Sequence, residues 1–139
     1  MDGGSLETFR ASLNRCVATP LFLKDFYDRF IGSSEVVREK FKDTDLQQQT
    51  RMVADSLHLM AVAAQSGPDA IAWGEMERLA RRHSRGDRDV PPELYDLWLD
   101  CLLQAVRIHD PLASAEVEAA WREALAPGIA HMKTRYGDG

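Results

Sequence analysis

Apolar residues in this chain recur at intervals of three and four, and nowhere does a run of β-branched and aromatic residues alternate with polar ones. The first spacing puts side chains on one face of a helix; the second, which a half-buried strand needs, is missing. The chain therefore reads as all-α. Its 139 residues, 45% of them hydrophobic, can build one ordinary core and not two, so a single domain over 1–139 is expected, ordered from about 5 to 136.

The stripes divide the chain. Ser5 is expected to cap a first helix that buries Leu6, Phe9, Leu13 and Cys16/Val17. Thr19-Pro20 reads as the start of a second, with Phe22, Phe26/Tyr27 and Phe30 inward and Gly32-Ser33-Ser34 closing it. A short turn over Glu35–Lys40 delivers Phe41. Thr44-Asp45-Leu46-Gln47 resembles a capping box opening a long helix to Ala64, with Val53, Leu57 and Met60 on its stripe, Gln49 at the inner edge and Gln48 outward. After a turn at Ser66–Asp69, a helix to Ser84 carries Ala72, Met76, Leu79, Ala80 and His83 on one face. Arg85–Asp89 is a polar loop. Pro91 is read as opening a helix that buries Leu94/Tyr95, Trp98, Leu102 and Val106 and ends at Asp110-Pro111. Ser114 caps the last helix, where Pro127-Gly128 predicts a kink or local break. Met1–Gly4 and Gly137–Gly139 are expected to be disordered.

Charge excludes some functions. With 17 Lys+Arg against 22 Asp+Glu the net charge is -5, so no general basic surface exists to collect phosphate backbones, and nucleic acid is not an expected partner. Apolar stretches such as Leu57–Ala64 fall far short of the roughly 20 residues a membrane span requires. The start of the chain offers neither a basic segment nor an apolar signal core, and two cysteines make no disulfide framework, which implies a reduced, cytoplasmic protein.

Chemistry-bearing motifs are few. Cys16 and Cys101 lie on apolar faces with no partner base, and His58, His83, His109 and His131 show no closed-site zinc spacing. Arg81, Arg82, Arg85 and Arg88, interleaved with Asp87 and Asp89, read as a solvated helix end. No catalytic residue stands out. What remains is an ordered set of singular residues: an aromatic pair in the second helix, Phe41 at a corner, an inward Gln, an inward His, and a Tyr just after a proline.

Together these resemble a globin. Phe26-Tyr27-Asp28-Arg29-Phe30, then Glu35-Val36-Val37-Arg38 and Phe41, are similar to the second-helix-to-corner segment of bacterial haemoglobins, with Tyr27 and Phe41 at the family's separation. Leu79-Ala80-Arg81-Arg82-His83 resembles the proximal Leu-Ala-x-x-His segment, Val90-Pro91 the start of the next globin helix, and Ala120-Trp121 the last helix. The resemblance spans Ser5 to Tyr136 and implies a globin fold of six to eight helices around haem b. His83 would bind the iron from the proximal side, Phe41 would stack on the porphyrin beside Leu79, and Val53 would press on the distal face. Tyr27 and Gln49 would be the distal polar pair, with Phe26 and Gln48 as rivals. Tyr95 matches the proximal-side tyrosine of flavohaemoglobins, or is core packing.

One departure from the flavohaemoglobin pattern matters: Met132–Tyr136 contains no carboxylate to join the tyrosine and histidine, which disfavours peroxidase-like chemistry. No Gly-x-Gly-x-x-Gly fingerprint occurs, so any reductase is expected to be a separate protein. The implied function is reversible binding of oxygen, with nitric oxide and carbon monoxide as further ligands, rather than dedicated catalysis. Nitric oxide dioxygenation with a separate reductase, and a haemless or haem-based signalling module acting through a partner, stay open beside it.

Overall fold

The computed structural model describes residues 3–66, 70–84 and 89–138. They form seven α-helices: α1 (Gly3–Val17), α2 (Phe22–Ser33), α3 (Glu35–Phe41), α4 (Leu46–Gln65), α5 (Ile71–Arg82), α6 (Glu93–His109) and α7 (Ala115–Arg135). A 3-10 turn, Tyr136–Asp138, follows. No strand occurs among the described residues, and the fold is all-α.

The stripes become one buried cluster. α2 packs on α6, while α1, α4 and α5 all pack on α7. Fully buried Trp121 is the hub of one end, with Phe9 edge-on at 4.8 Å and Phe22 at 6.3 Å. Its indole Nε1 donates to Ser12 Oγ at 2.9 Å, and Ser12 Oγ donates to Asp110 Oδ2 at 2.6 Å. Arg15 reaches the same carboxylate through two nitrogens at 2.6 and 2.9 Å, and the Leu112 N–H donates to it at 2.9 Å. Burial pushes the Asp110 pKa up, but the Arg15, Ser12 and Leu112 bonds outweigh it and bring the pKa down to about 2. A buried charge with this many donors is tolerated because its lone pairs are filled.

Helix starts differ from the expected ones for identifiable reasons. α1 begins at Gly3, not after a Ser5 cap, and Thr8 Oγ1 donates back to Gly4 O at 2.9 Å. α2 begins at Phe22 because Thr19 spends its hydroxyl on Arg15 O at 3.3 Å instead of capping, which leaves Pro20 in the preceding turn. α4 is capped by Asp45, whose Oδ1 accepts from the N–H groups of Gln47 and Gln48; the Thr44 N–H instead closes a turn onto Phe41 O at 3.1 Å. α6 begins at Glu93, since Pro91 and Pro92 have no N–H and the first amide to bond is that of Leu94, to Pro91 O at 3.0 Å.

Other boundaries agree. Ser34 caps α3 and Ser114 caps α7. The local break expected at Pro127-Gly128 does not occur: α7 runs unbroken through Pro127. Gly128 explains what that segment is for: a Cβ there would stand 2.9 Å from Met60 Cγ on α4 and 3.2 Å from Met76 Cε on α5, so the missing side chain lets three helices close together. Gly3 and Gly4 belong to α1, and Gly137 lies in the 3-10 turn. The expected turn at Ser66–Asp69 and the loop Arg85–Asp89 fall largely on residues 67–69 and 85–88, outside the described residues.

Candidate functional site

An interior cavity of about 420 Å³ opens between α2, α3, α4, α5 and α6. That volume lies within the roughly 300–1,000 Å³ typical of cofactor and ligand sites. Tyr27, Phe41, Gln49, Val53, Leu79, His83 and Tyr95 all line it, so the seven residues singled out in the sequence meet at one place. Of their rivals, Phe26 is fully buried against Tyr27, Phe30 and Trp98 and does not reach the cavity, and Gln48 is exposed.

Aromatic packing shapes the α2–α3 wall. Tyr27 and Phe30 project from successive turns of α2, and Phe41, delivered by the short α3, sits against both with ring centroids 5.6 and 6.1 Å away. Tyr27 is buried, which pushes its pKa up to about 12; a hydrogen bond from the Gln49 side chain offsets part of that rise. The phenol therefore keeps its proton at any physiological pH. Val53, one turn beyond Gln49 on α4, adds a buried branched side chain.

His83 follows directly on α5, where its backbone N–H still bonds Leu79 O and Ala80 O, both at 3.2 Å. Its ring Nδ1 lies 2.8 Å from Leu79 O. A carbonyl only accepts, so Nδ1 carries the hydrogen and the neutral ring bears its lone pair at Nε2. A bond of this kind fixes both the tautomer and the direction of an imidazole ring. Of the other histidines, His109 lies 3.0 Å from Asp25, His131 2.7 Å from Glu77, and His58 is exposed; none of the three lines the cavity.

Tyr95 is buried, and its hydroxyl is the one buried side-chain polar atom without a hydrogen-bond partner among the described residues. Burial drives its pKa upward. Where α7 comes nearest it supplies Met132 to the lining rather than a carboxylate, which leaves the phenol unanswered.

Further lining residues were not singled out in the sequence. Met52, Ser56 and Met60 continue the Gln49–Val53 side of α4, Trp98 stands one turn after Tyr95, and Lys40, Thr44 and Arg82 bring polar groups. Met60 and Trp98 sat on recognised apolar stripes, which do not distinguish a cavity wall from solid core. Met52 and Ser56, three and seven residues after Gln49, share its edge of the helix, and that spacing was the available signal.

The donor set fits haem: an oriented imidazole, a largely apolar wall, a protonated phenol with an amide, and an unanswered hydroxyl. No group of His, Cys, Asp and Glu able to hold a bare metal ion occurs among the described residues.

Comparison with known proteins agrees. The Globin family model matches residues 24–132. The chain is 38% identical to PA3967 of Pseudomonas aeruginosa PAO1, a protein whose crystal structure is described as highly homologous to a human haemoglobin; the TM-score is 0.89, and the match covers 96% of this chain and 98% of that one. No curated protein matches the chain. Its helix order, its cavity and these likenesses together make the chain a member of the globin family.

Proposed function

We propose that the chain binds haem b in this cavity and holds a diatomic gas there reversibly, oxygen foremost. The observation that carries the reading is His83, oriented by its Nδ1 bond to Leu79 O on the same cavity wall system that presents the Tyr27–Gln49 pair. When bound, haem supplies a ferrous iron that takes a diatomic gas and shifts electron density onto it.

The chain's own residues do the rest. His83 Nε2 would hold the iron, and Leu79 would keep the imidazole from turning. Phe41 would stack on the porphyrin, and Val53 with Phe30 and Met60 would exclude water and so slow oxidation. Lys40 and Arg82, partly or largely exposed on the lining, would face the two haem carboxylates. Tyr27 through its hydroxyl, and Gln49 through its amide, would donate hydrogen bonds to negative charge on the held gas. Such a bond is worth about 1.5–3 kcal/mol, or roughly 10- to 150-fold in affinity, for oxygen and far less for carbon monoxide.

A haemless module with a filled core is the weaker reading, because a filled core would leave no such cavity. Spectra of the purified chain after haem addition, in ferric, ferrous and carbon-monoxide forms, test the proposal. A Soret band that shifts between the three forms, and an oxygen spectrum that reverses on deoxygenation, are expected. A protein that leaves added haem unbound overturns it.

A further inference from the structure

We propose that Tyr136 and Asp89 form a positioning pair for His83, through which the end of α7 fixes the segment that carries the cavity histidine. The Tyr136 hydroxyl donates to Asp89 Oδ1. Asp89 is the one non-glycine residue with positive φ among those described, at 52°, a left-handed conformation that costs an L-residue energy unless something holds it. Two backbone bonds then connect Asp89 to the histidine. Its own N–H donates to Ser84 O at 2.8 Å, and the next amide, Val90 N–H, donates to His83 O at 3.0 Å. The tether therefore ends on the peptide unit of His83 itself.

The same end of α7 grips α5 ahead of His83. Glu77 accepts from Arg135 Nε at 3.1 and 3.2 Å, and His131 Nε2 lies 2.7 Å from it. Burial raises the Glu77 pKa, but the bonds from Arg135, His131 and Arg81 outweigh this and keep it a carboxylate. His131, Arg135 and Tyr136 thus hold the His83 segment on both sides, Glu77 before it and Asp89 after it. Pulling on either point moves the imidazole relative to the cavity.

The iron-based half of the test rests on the haem reading; the exchange half does not. In the haem-free full chain, Tyr136→Phe is expected to speed hydrogen exchange of the Asp89 and Val90 amides about tenfold, the scale of one lost charge-assisted bond, with α1 amides unchanged. The Val90 amide reports His83 directly, because its acceptor is the His83 carbonyl. Asp89→Asn, which tolerates the left-handed region and keeps an oxygen acceptor but loses the charge, should exchange at a rate between wild type and Tyr136→Phe. Asp89→Gly should reproduce Tyr136→Phe, and the double variant should add nothing. In the ferrous haem-loaded protein, Tyr136→Phe should shift the iron–histidine stretching frequency. The same substitution in His83→Gly refilled with imidazole should leave the iron–imidazole frequency unmoved, since that ring is no longer attached to the chain. Unchanged exchange at Val90, or a loaded protein whose frequency ignores Tyr136, overturns the positioning role. Failure to take up haem overturns the haem reading alone, and the exchange data still decide the tether.

Discussion

His83 Nδ1 and Leu79 O stand 2.8 Å apart across one turn at the end of α5, so the helix that bears the cavity histidine also sets the direction of its ring. Orientation and tautomer come from the same bond. A substitution at His83 would therefore remove the proposed iron donor together with the bond that orients it.

His83→Ala should fold, lose haem rapidly, and recover a His-like spectrum when imidazole is added. Absorption spectra with and without imidazole check this. A variant whose spectrum is unchanged would move the ligand elsewhere.

Tyr27→Phe should speed oxygen dissociation at least roughly tenfold, equivalent to about 1.4 kcal/mol, and leave carbon monoxide dissociation nearly unchanged. Gln49→Leu should act in the same direction but less. Because Tyr27 has its pKa raised to about 12, its contribution is fully present below the ordinary phenol pKa near 10 and disappears only as pH rises through about 12. The wild-type dissociation rate should thus be flat from about pH 6 to about pH 10 with respect to this group. Stopped-flow measurement of both gases provides the comparison.

Removing the Tyr95 hydroxyl removes a buried group with no partner. Such a group costs about 1–3 kcal/mol, so Tyr95→Phe should stabilise the haem-free protein by about 1 kcal/mol, seen as a higher urea midpoint. In the loaded protein the iron–histidine stretch should shift. Higher stability with an unmoved frequency would make Tyr95 core packing.

Asp110 has its pKa lowered from 3.8 to about 2, so it contributes stability that is complete above its unfolded pKa and is lost as pH falls through about 2. The contribution is about 2 kcal/mol. Asp110→Asn should cost about 2–3 kcal/mol at pH 7, since it leaves Arg15 without its carboxylate, and should flatten the acid limb between about pH 4 and about pH 2. Urea titrations at a series of pH values measure both.

Gly128→Ala sets helix propensity against space. The methyl gains about 1 kcal/mol as a helix former but meets Met60 and Met76, and overpacking costs about 1–3 kcal/mol, so a net loss of about 1 kcal/mol is expected. Met60 also lines the cavity, so haem affinity should fall with stability. A urea midpoint above wild type would show that the two methionines yield without strain.

Much of this was legible in the sequence, and the exceptions share a cause. Leu6, Phe9, Leu13, Val53, Leu57 and Trp121 were assigned inward by spacing alone and are buried, because periodicity reports which face of a helix is apolar. Gln49 over Gln48 followed from register, whereas Tyr27 over Phe26 followed only from the family resemblance. Helix starts at Pro20, Thr44 and Pro91 were misplaced by one or two residues, since a cap depends on which hydroxyl or carboxylate wins a local competition for amides. Trp98 was not recognisable as cavity wall, and Asp110 read only as a helix terminator. Their roles arise from segments distant in the chain, which no local pattern encodes.

The Ser12–Asp110–Trp121 bonds span 98 and 109 positions, and this orders events in time. α1 is the first helix made, yet every polar group it buries waits for partners in the last third of the chain. While the protein is being synthesised, Ser12 and Arg15 have nothing to hold, and the Leu6–Phe9–Leu13 face stays uncovered until Trp121 has emerged. Docking of α1 is therefore a late, closing step, and weakening the Asp110 network should slow folding more than it speeds the loss of the folded state only if that step comes before the rate-limiting barrier.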